Sequence, residues 1–452
     1  MTHRPLVDLL VHADWSVSPK KRWAARAEWA AGWTVTSVEP VGPTAVFVAD
    51  LLTSAATRRV LAGFDFPIGL PNSYGAKTGE ANFSAFLRGI GTGRWSRFAD
   101  IARTADEISI ERPFYPAGST GGVTQAALID GHGEAVFDDL RRQCERATAK
   151  RRAACPIFWT LGGNQVGRGA LSGWVEVVKP AQAGGASVWP FDGTLEHLSQ
   201  QPGLVIAETY PAEAYGHVGV RFAQAESKTN QSHRKSKADA IHAWADRHGV
   251  RLAASVISLI DDGFGDTQSG EDQFDALMGL LGMIEVADGR RSAAPPGRVT
   301  DPWEGWMIGQ AGGEDHGTTP SKPSTNDMRT SEEPTFPGYL EVIEPLSAIP
   351  TLPSRWVDFL RQGKGVYLLT CPRTKEQYVG KADGVDGFWG RWLSYAMTGD
   401  GGNVRLKSRE RSDYQVSILE VAGSAATADE ILRMEMRWKA KLQTREMGLN
   451  GN

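Results

Sequence analysis

With 452 residues, 41% hydrophobic and 23% charged, the chain is long enough for two or three globular domains. No apolar run reaches the roughly eighteen residues of a membrane span, so no membrane association is expected, and three scattered cysteines (Cys144, Cys155, Cys371) exclude a disulfide scaffold and a cysteine zinc site. The net charge of −4 is uneven: residues 361–452 hold 15 Lys/Arg against 11 Asp/Glu, or +4, which leaves 34 against 42, or −8, for the rest.

A basic C-terminal module on an acidic chain suits contact with a phosphate backbone. The opening MTHRPLVDLL lacks the layout of a signal peptide, so a reduced, cytoplasmic protein is expected. The polar, Gly/Pro/Ser/Thr-rich stretch 311–337 reads as a linker between residues 1–310 and 338–452.

In chain order, Leu6 to Ala13 reads as a buried strand ending at Asp14. Trp23–Trp29 and Trp33–Val41 read as a second and third strand around a hairpin-like break at Ala30-Ala31-Gly32. Thr44–Arg59 has helical spacing, and Val60–Phe66 is a further strand stopped by Pro67. Strand, strand, strand, helix, strand is how the ribonuclease H fold begins. Residues 72–200 are punctuated by Gly and Pro; within them Asp138–Arg152 reads as a helix rich in arginine, either a solvated face or a nucleic-acid contact. Val205–Glu208 is a short strand ending in a carboxylate. Lys228 to Lys237 reads as a basic, polar loop, with Lys235 a candidate substrate contact. Ala238–His248 and Asp272–Val286 read as helices.

Four acidic places stand out. Asp14, Asp65 and Glu208 end strands, and Asp272 and Asp275 lie three apart on one face of a helix whose apolar face holds Phe274, Leu277, Leu280, Leu281 and Ile284. Carboxylates at strand ends and on one packing helix can converge. Two divalent cations about 3.5–4 Å apart need such a cluster to clamp an in-line phosphoryl displacement. Oxygen ligands favour Mg2+ or Mn2+. Against this stands the plain reading: acids are common at strand ends, and Asp272 would suit a helix N-terminus by itself. The segments HADWS, GFDFPIGLP, AETYPAEAY and DQFDAL resemble the predicted RNase H-like nucleases of domain of unknown function 429, over roughly residues 6–310. That resemblance implies an RNase H-like mixed sheet with flanking helices, with Asp14, Asp65, Asp272 and Asp275 as metal-binding and catalytic acids and Glu208 as a further acid. Sugar kinases and ATPases share the fold, but they need Gly-rich phosphate turns and a duplicated domain, and no second copy is evident.

Further on, Gly365–Cys371 and Gln377–Lys381 read as paired strands, and Asp386–Thr398 as a helix carrying Arg391. Tyr414–Val421 is an alternating strand. Thr427–Arg445 is a helix opened by a Thr-Ala-Asp-Glu capping box, with Leu432, Met436, Lys439 and Leu442 at helical spacing and Glu435 among them. Taken singly, the tyrosines pack, Glu435 pairs with Lys439, and Asn450 is a terminal residue. Taken in order, GVY, YVG, the arginine of GRWLSYA, the glutamate of RMEMRWKAKL and the asparagine of GLNGN resemble the GIY-YIG nuclease domain over about 362–452. Valine stands for isoleucine in both triplets. The resemblance implies a small α+β domain with a short antiparallel sheet. It implies Glu435 as a ligand of one Mg2+ or Mn2+, Tyr367 as general base or water-orienting group beside Tyr378, Arg391 and Lys381 on the phosphate, and Asn450 fixing the local structure near the site and contacting the substrate. A phenol with an ordinary pKa of about 10 needs a metal or cation nearby to act as a base. The expected function is a metal-dependent endonuclease acting on nucleic acid, DNA in the first instance. The alternative is an RNase H-like binding or nucleotide-processing module tethered to a nuclease.

Overall fold

The computed structural model describes residues 4–117, 125–146, 153–160, 166–223, 226–295, 301–310, 336–384, 386–398, 413–423 and 426–450. The fold is mixed α/β, with one seven-stranded mixed sheet and one small antiparallel sheet of four strands. The expected linker falls almost wholly outside the described residues. No helix among the described residues is long and apolar enough to cross a membrane.

The large sheet holds β1 (Leu9–Asp14), β2 (Trp23–Trp29), β3 (Trp33–Pro40), β4 (Arg59–Phe64), β5 (Ser187–Val188), β6 (Gly203–Glu208) and β7 (Arg251–Leu252), in the order β5-β6-β4-β1-β2-β3-β7. β1, β2 and β3 run antiparallel, and β4 and β6 continue the sheet parallel to β1. The expected order of three strands, a helix (Thr44–Ala55) and a strand is therefore present. Each central strand is buried on both sides, as its near-continuous apolar run requires.

The alternation along β1 and β4 divides the core in two. Val11, Ala13, Val60, Ala62 and Phe64 face Phe47 and Leu51 of the Thr44–Ala55 helix and an aromatic cluster from the segment after β4, which includes Tyr74, Phe86 and Trp174. Leu10, Leu61, Val205 and Ala207 face the Gly270–Ala287 helix. That helix buries fifteen of its eighteen residues. Two glycines let it lie on the strands: a Cβ at Gly279 would stand 2.2 Å from the His12 ring, and one at Gly63 2.5 Å from Met283 and Thr209. Burial of Leu277, Leu280, Leu281 and Ile284 contributes on the order of 2 kcal/mol each.

Two expectations fail in this part. The basic stretch from Asp138 is no continuous helix: it forms two short 3-10 turns, Phe137–Leu140 and Gln143–Glu145, and 147–152 lie outside the described residues. Of its described arginines, Arg141 and Arg142 are buried and Arg146 is exposed. The loop Lys228–Lys237 contains a short helix, Gln231–Lys235, capped by Asn230.

The small sheet holds β8 (Ile343–Pro345), β9 (Gly365–Thr370), β10 (Gln377–Ala382) and β11 (Gln415–Val421), in the order β10-β9-β11-β8. The Gly387–Thr398 and Ala428–Lys441 helices pack against β9 and β10. The capping box Thr427/Glu430 opens the second of these helices as expected. Its buried stripe is Ile431, Glu435 and Lys439, whereas Leu432 and Met436 are exposed. The inward face is thus rotated by one residue from the spacing read in the sequence.

Candidate active sites

In the N-terminal part, strand register decides which carboxylates meet. Ala13 pairs with Phe64, and Phe64 with Glu208. Paired residues on neighbouring strands share a face, so Phe64 and Glu208 point one way. Asp14 and Asp65, each one residue later, point the other way, toward the Gly270–Ala287 helix. Asp65 lies within hydrogen-bond reach of Asp14 and accepts the Trp15 N–H at 2.6 Å. Burial pushes the Asp14 carboxyl well above its usual range, reinforced by the charges of Asp65, Asp275 and Asp272. Burial raises Asp65 to about 7 and Asp272 to about 6. Four of the five predicted acids are therefore electrostatic neighbours.

Glu208, expected to bind metal, is corrected by this geometry. It lies on the opposite face, 2% exposed, where both its oxygens take Arg142 donors at 2.6 and 2.7 Å and the Ile68 N–H adds a third bond at 2.7 Å. Arg142 is also bonded to Glu145. This buried knot ties the segment after β4 to the end of β6 and engages both oxygens of Glu208 on the face away from the other acids.

Among the described residues, no three His, Cys, Asp or Glu side chains close around one point as a ready metal nest. The acids' carboxylate oxygens are hard donors of the kind a divalent cation takes. Asp272 Oδ2 is buried with no hydrogen-bond partner, whereas Asp14 and Asp65 lie within hydrogen-bond reach of each other. Lys228 stands among the acids, its ammonium 2.5 Å from Asp275 and 3.0 Å from Glu271. Tyr215 donates its hydroxyl to the other oxygen of Asp275. Lys228, rather than the exposed Lys235, is the cation of this loop that reaches the acids. Beneath them, His12 is buried and neutral, its pKa lowered to about 4 by burial. Its Nδ1–H donates to Ala276 O at 2.9 Å, and Nε2 accepts from the Thr209 hydroxyl at 2.8 Å. Lys228, Tyr215 and His12 were not singled out in the sequence. His12 lies two residues before Asp14 on the same strand face, a signal that was available; Lys228 and Tyr215 are 47 and 60 residues from Asp275 and had none.

In the C-terminal part, Gly380 pairs with Tyr367 and Tyr378 with Leu369, so both tyrosines rise from one face of the sheet. A Cβ at Gly380 would stand 2.4 Å from the Tyr367 hydroxyl, which is why the second triplet ends in glycine. The Gly387–Thr398 helix lays Arg391 and Tyr395, one turn apart, over this face. Arg391 Nε donates to the Tyr367 hydroxyl at 3.3 Å and Nη2 to the Tyr395 hydroxyl at 3.4 Å, and the Tyr367 hydroxyl donates to Tyr395 at 3.1 Å. Tyr378 packs on Tyr395, with ring centroids 6.3 Å apart. Arg391 is only half-buried, and no carboxylate among the described residues pairs with it. Tyr395 was missed in the sequence, although its place four residues after Arg391 marks it.

Burial pushes the Tyr367 phenol further above its ordinary value. A neutral hydroxyl that orients a water fits better than a base. Glu435 is 6% exposed and pairs with Lys439 at 3.2 Å, the plain reading of that spacing. It is a hard oxygen donor on an inward face, so it fits a cation that displaces the ammonium. Lys381 is half-buried and ion-paired with Asp383, and its pairing with Val366 turns it to the face opposite the two tyrosines. Asn450, expected on the substrate, is corrected: it is 1% exposed, accepts the Val379 N–H at 2.9 Å and donates to Val379 O at 2.8 Å. With Leu449 N bonded to Gln377 O, the closing segment is laced to the outer edge of β10.

Compared with models of known families, with curated proteins and with solved structures, the chain matches none.

Proposed function

We propose that the chain is a metal-dependent phosphodiester hydrolase acting on nucleic acid, in the first instance DNA, with its cutting site at the phenol cluster of the C-terminal part. One observation carries this reading: between Tyr367 and Tyr395, Arg391 offers a half-buried guanidinium that has no carboxylate partner among the described residues. A guanidinium in that state binds a phosphate through charge-assisted hydrogen bonds. Arg391 would hold the scissile phosphate and spread its growing negative charge. The Tyr367 hydroxyl would position the attacking water, with Tyr395 fixing its direction and Tyr378 walling the site. Glu435 would hold a Mg2+ or Mn2+ ion, which when bound supplies Lewis-acid stabilisation of the phosphate charge. In the N-terminal part, Asp14, Asp65 and Asp272 would hold a second ion site of the RNase H-like kind.

A second reading for that half is a nucleic-acid-binding or nucleotide-processing module without cutting activity. The ammonium of Lys228 within the acids favours it.

Cleavage of plasmid and branched DNA with Mg2+ or Mn2+ tests both. Glu435→Ala should lower cutting by at least about 100-fold, about 2.7 kcal/mol of transition-state stabilisation. Further loss in a Glu435→Ala/Asp14→Ala double variant assigns cutting to both halves. Undiminished cutting by the double variant refutes both assignments.

A further inference from the structure

We propose that Arg168 is a phosphate-binding residue of the N-terminal part, which with Lys20 and Lys21 holds a nucleic-acid backbone beside the carboxyl ends of β1 and β4. The inference rests on the nucleic-acid reading given above and requires no metal ion.

Two arginines meet one helical run, and only one of them is spent. Arg168, Ser172 and Glu176 follow at four-residue spacing along the helix Val166–Gly173 and the π-helical turn Trp174–Val178. Arg22, 1% exposed, meets the far end of this row. It donates to Glu176 Oε2 at 2.6 Å and Oε1 at 3.1 Å, and it lies 4.0 Å over the Trp15 ring. It also donates to Ser16 O at 2.6 Å, which braces the turn after β1. Its charge is met by Glu176. Arg168, at the near end, has no such partner. Its one hydrogen bond among the described residues runs from Nη2 to Ala117 O at 3.3 Å, and its Nε is buried without an acceptor. The adjoining segments 118–124 and 161–165 contain no Asp or Glu. A guanidinium held half out of water without an anion leaves donors and charge unmet, and phosphate oxygens supply both needs.

The place of Arg168 suits a ligand. Ser172, one turn on, accepts the Trp15 indole N–H at 2.8 Å, and Trp15 directly follows the last residue of β1. A Cβ at Gly173 would stand 2.4 Å from Phe66, two residues beyond β4, and Trp174 Nε1 donates to Pro67 O at 2.7 Å. The helix therefore lies beside the carboxyl ends of two parallel strands, where open α/β sheets take their ligands. Lys20 and Lys21 stand at the same end, on the 3-10 turn Pro19–Lys21 that precedes Arg22. Both are exposed, and neither forms an ion pair among the described residues. The acids nearby have partners of their own. Lys228 bridges Asp275 and Glu271, and Asp14 and Asp65 lie within hydrogen-bond reach of each other.

Binding of the full chain to a labelled DNA duplex and to a labelled RNA strand tests this, read by fluorescence anisotropy over a range of salt in chelator. The variants carry Arg391→Gln, so that the phosphate contact of the C-terminal part is removed. In that background Arg168→Gln should weaken binding about tenfold and reduce the slope of log affinity against log salt by about one. Lys20→Gln with Lys21→Gln should reduce the slope further, and Arg168→Lys should keep the slope while losing part of the affinity. Arg97→Gln removes an exposed arginine paired with Asp100; it should change neither quantity and controls for net charge. Unchanged affinity and slope in Arg168→Gln overturn the proposal, as does a loss that comes with a fallen Tm and an unchanged slope. Binding abolished by Arg391→Gln alone overturns it too. No binding of either nucleic acid by the chain with Arg391 intact overturns the nucleic-acid reading itself, a result distinct from the other three.

Discussion

Replacing Asp65 by Asn should stabilise the metal-free protein, and by more as the pH rises. Burial holds this carboxyl at about 7, against an ordinary value of 3.8. A folded pKa above the unfolded one means that the native state grips the proton more tightly. Its contribution to stability is complete below about 3.8 and is lost as the pH climbs through about 7. Between about pH 4.5 and about pH 8, a fully buried and independent carboxyl of this kind would lose about 3 kcal/mol. Asp65 is only part-buried and titrates together with Asp14, which leaves about 1–2 kcal/mol. That is about 2–6 °C in Tm. The asparagine keeps an oxygen for the Trp15 N–H, so the backbone contact survives. His12 and His132, both held near 4 by burial, work in the opposite direction, adding stability as the pH rises from about 4 to about 6.5. They are present in both proteins and cancel in the difference. The assay is thermal or urea unfolding of wild type and Asp65→Asn in chelator across that range. A difference that stays flat with pH would refute the claim that burial holds the Asp65 carboxyl above its ordinary value. Saturating Mn2+ should then stabilise wild type more than the variant, because ligand binding to the native state adds stability by mass action.

Glu208→Gln should destabilise by about 3 kcal/mol, because it weakens the compensation of the buried Arg142, while leaving Mn2+ affinity unchanged; lowered affinity with unchanged stability would return Glu208 to the metal site. Asn450→Ala removes both bonds to Val379. It should cost about 2 kcal/mol in unfolding of the C-terminal part, with DNA affinity unchanged for the folded protein; weaker binding without lost stability would make Asn450 a substrate contact. Tyr395→Phe takes the shared hydroxyl from Tyr367 and Arg391. It should lower kcat about tenfold or more with little change in Tm, and an unchanged kcat would dismiss the phenol network from the reaction.

Much of the fold was legible because its signals are local. The strands around Ala30-Gly32, the helix after Thr44 and the capping box at Thr427 rest on patterns within a dozen residues. The one-turn spacing of Asp272 and Asp275 is of the same kind. The Ala428–Lys441 helix was placed correctly but turned wrongly. Its inward stripe carries Glu435 and Lys439, and apolar spacing pointed to the exposed Leu432 and Met436 instead. Glu208 went astray for a related reason: a carboxylate at a strand end is visible in the sequence, but the face it takes depends on register against β4.

By itself, then, the chain of residues determined which acids, phenols and arginines were available and which elements carried them, since hydrophobic period and capping are read within a few turns or strands. Three-dimensional packing determined which of them meet. It set Asp14 and Asp65 against Asp272 and Asp275, turned Glu208 to Arg142, brought Lys228 onto Asp275 and spent Asn450 on the edge of β10. Those outcomes follow from strand register and from contacts between residues tens to hundreds of positions apart, where no local pattern reaches.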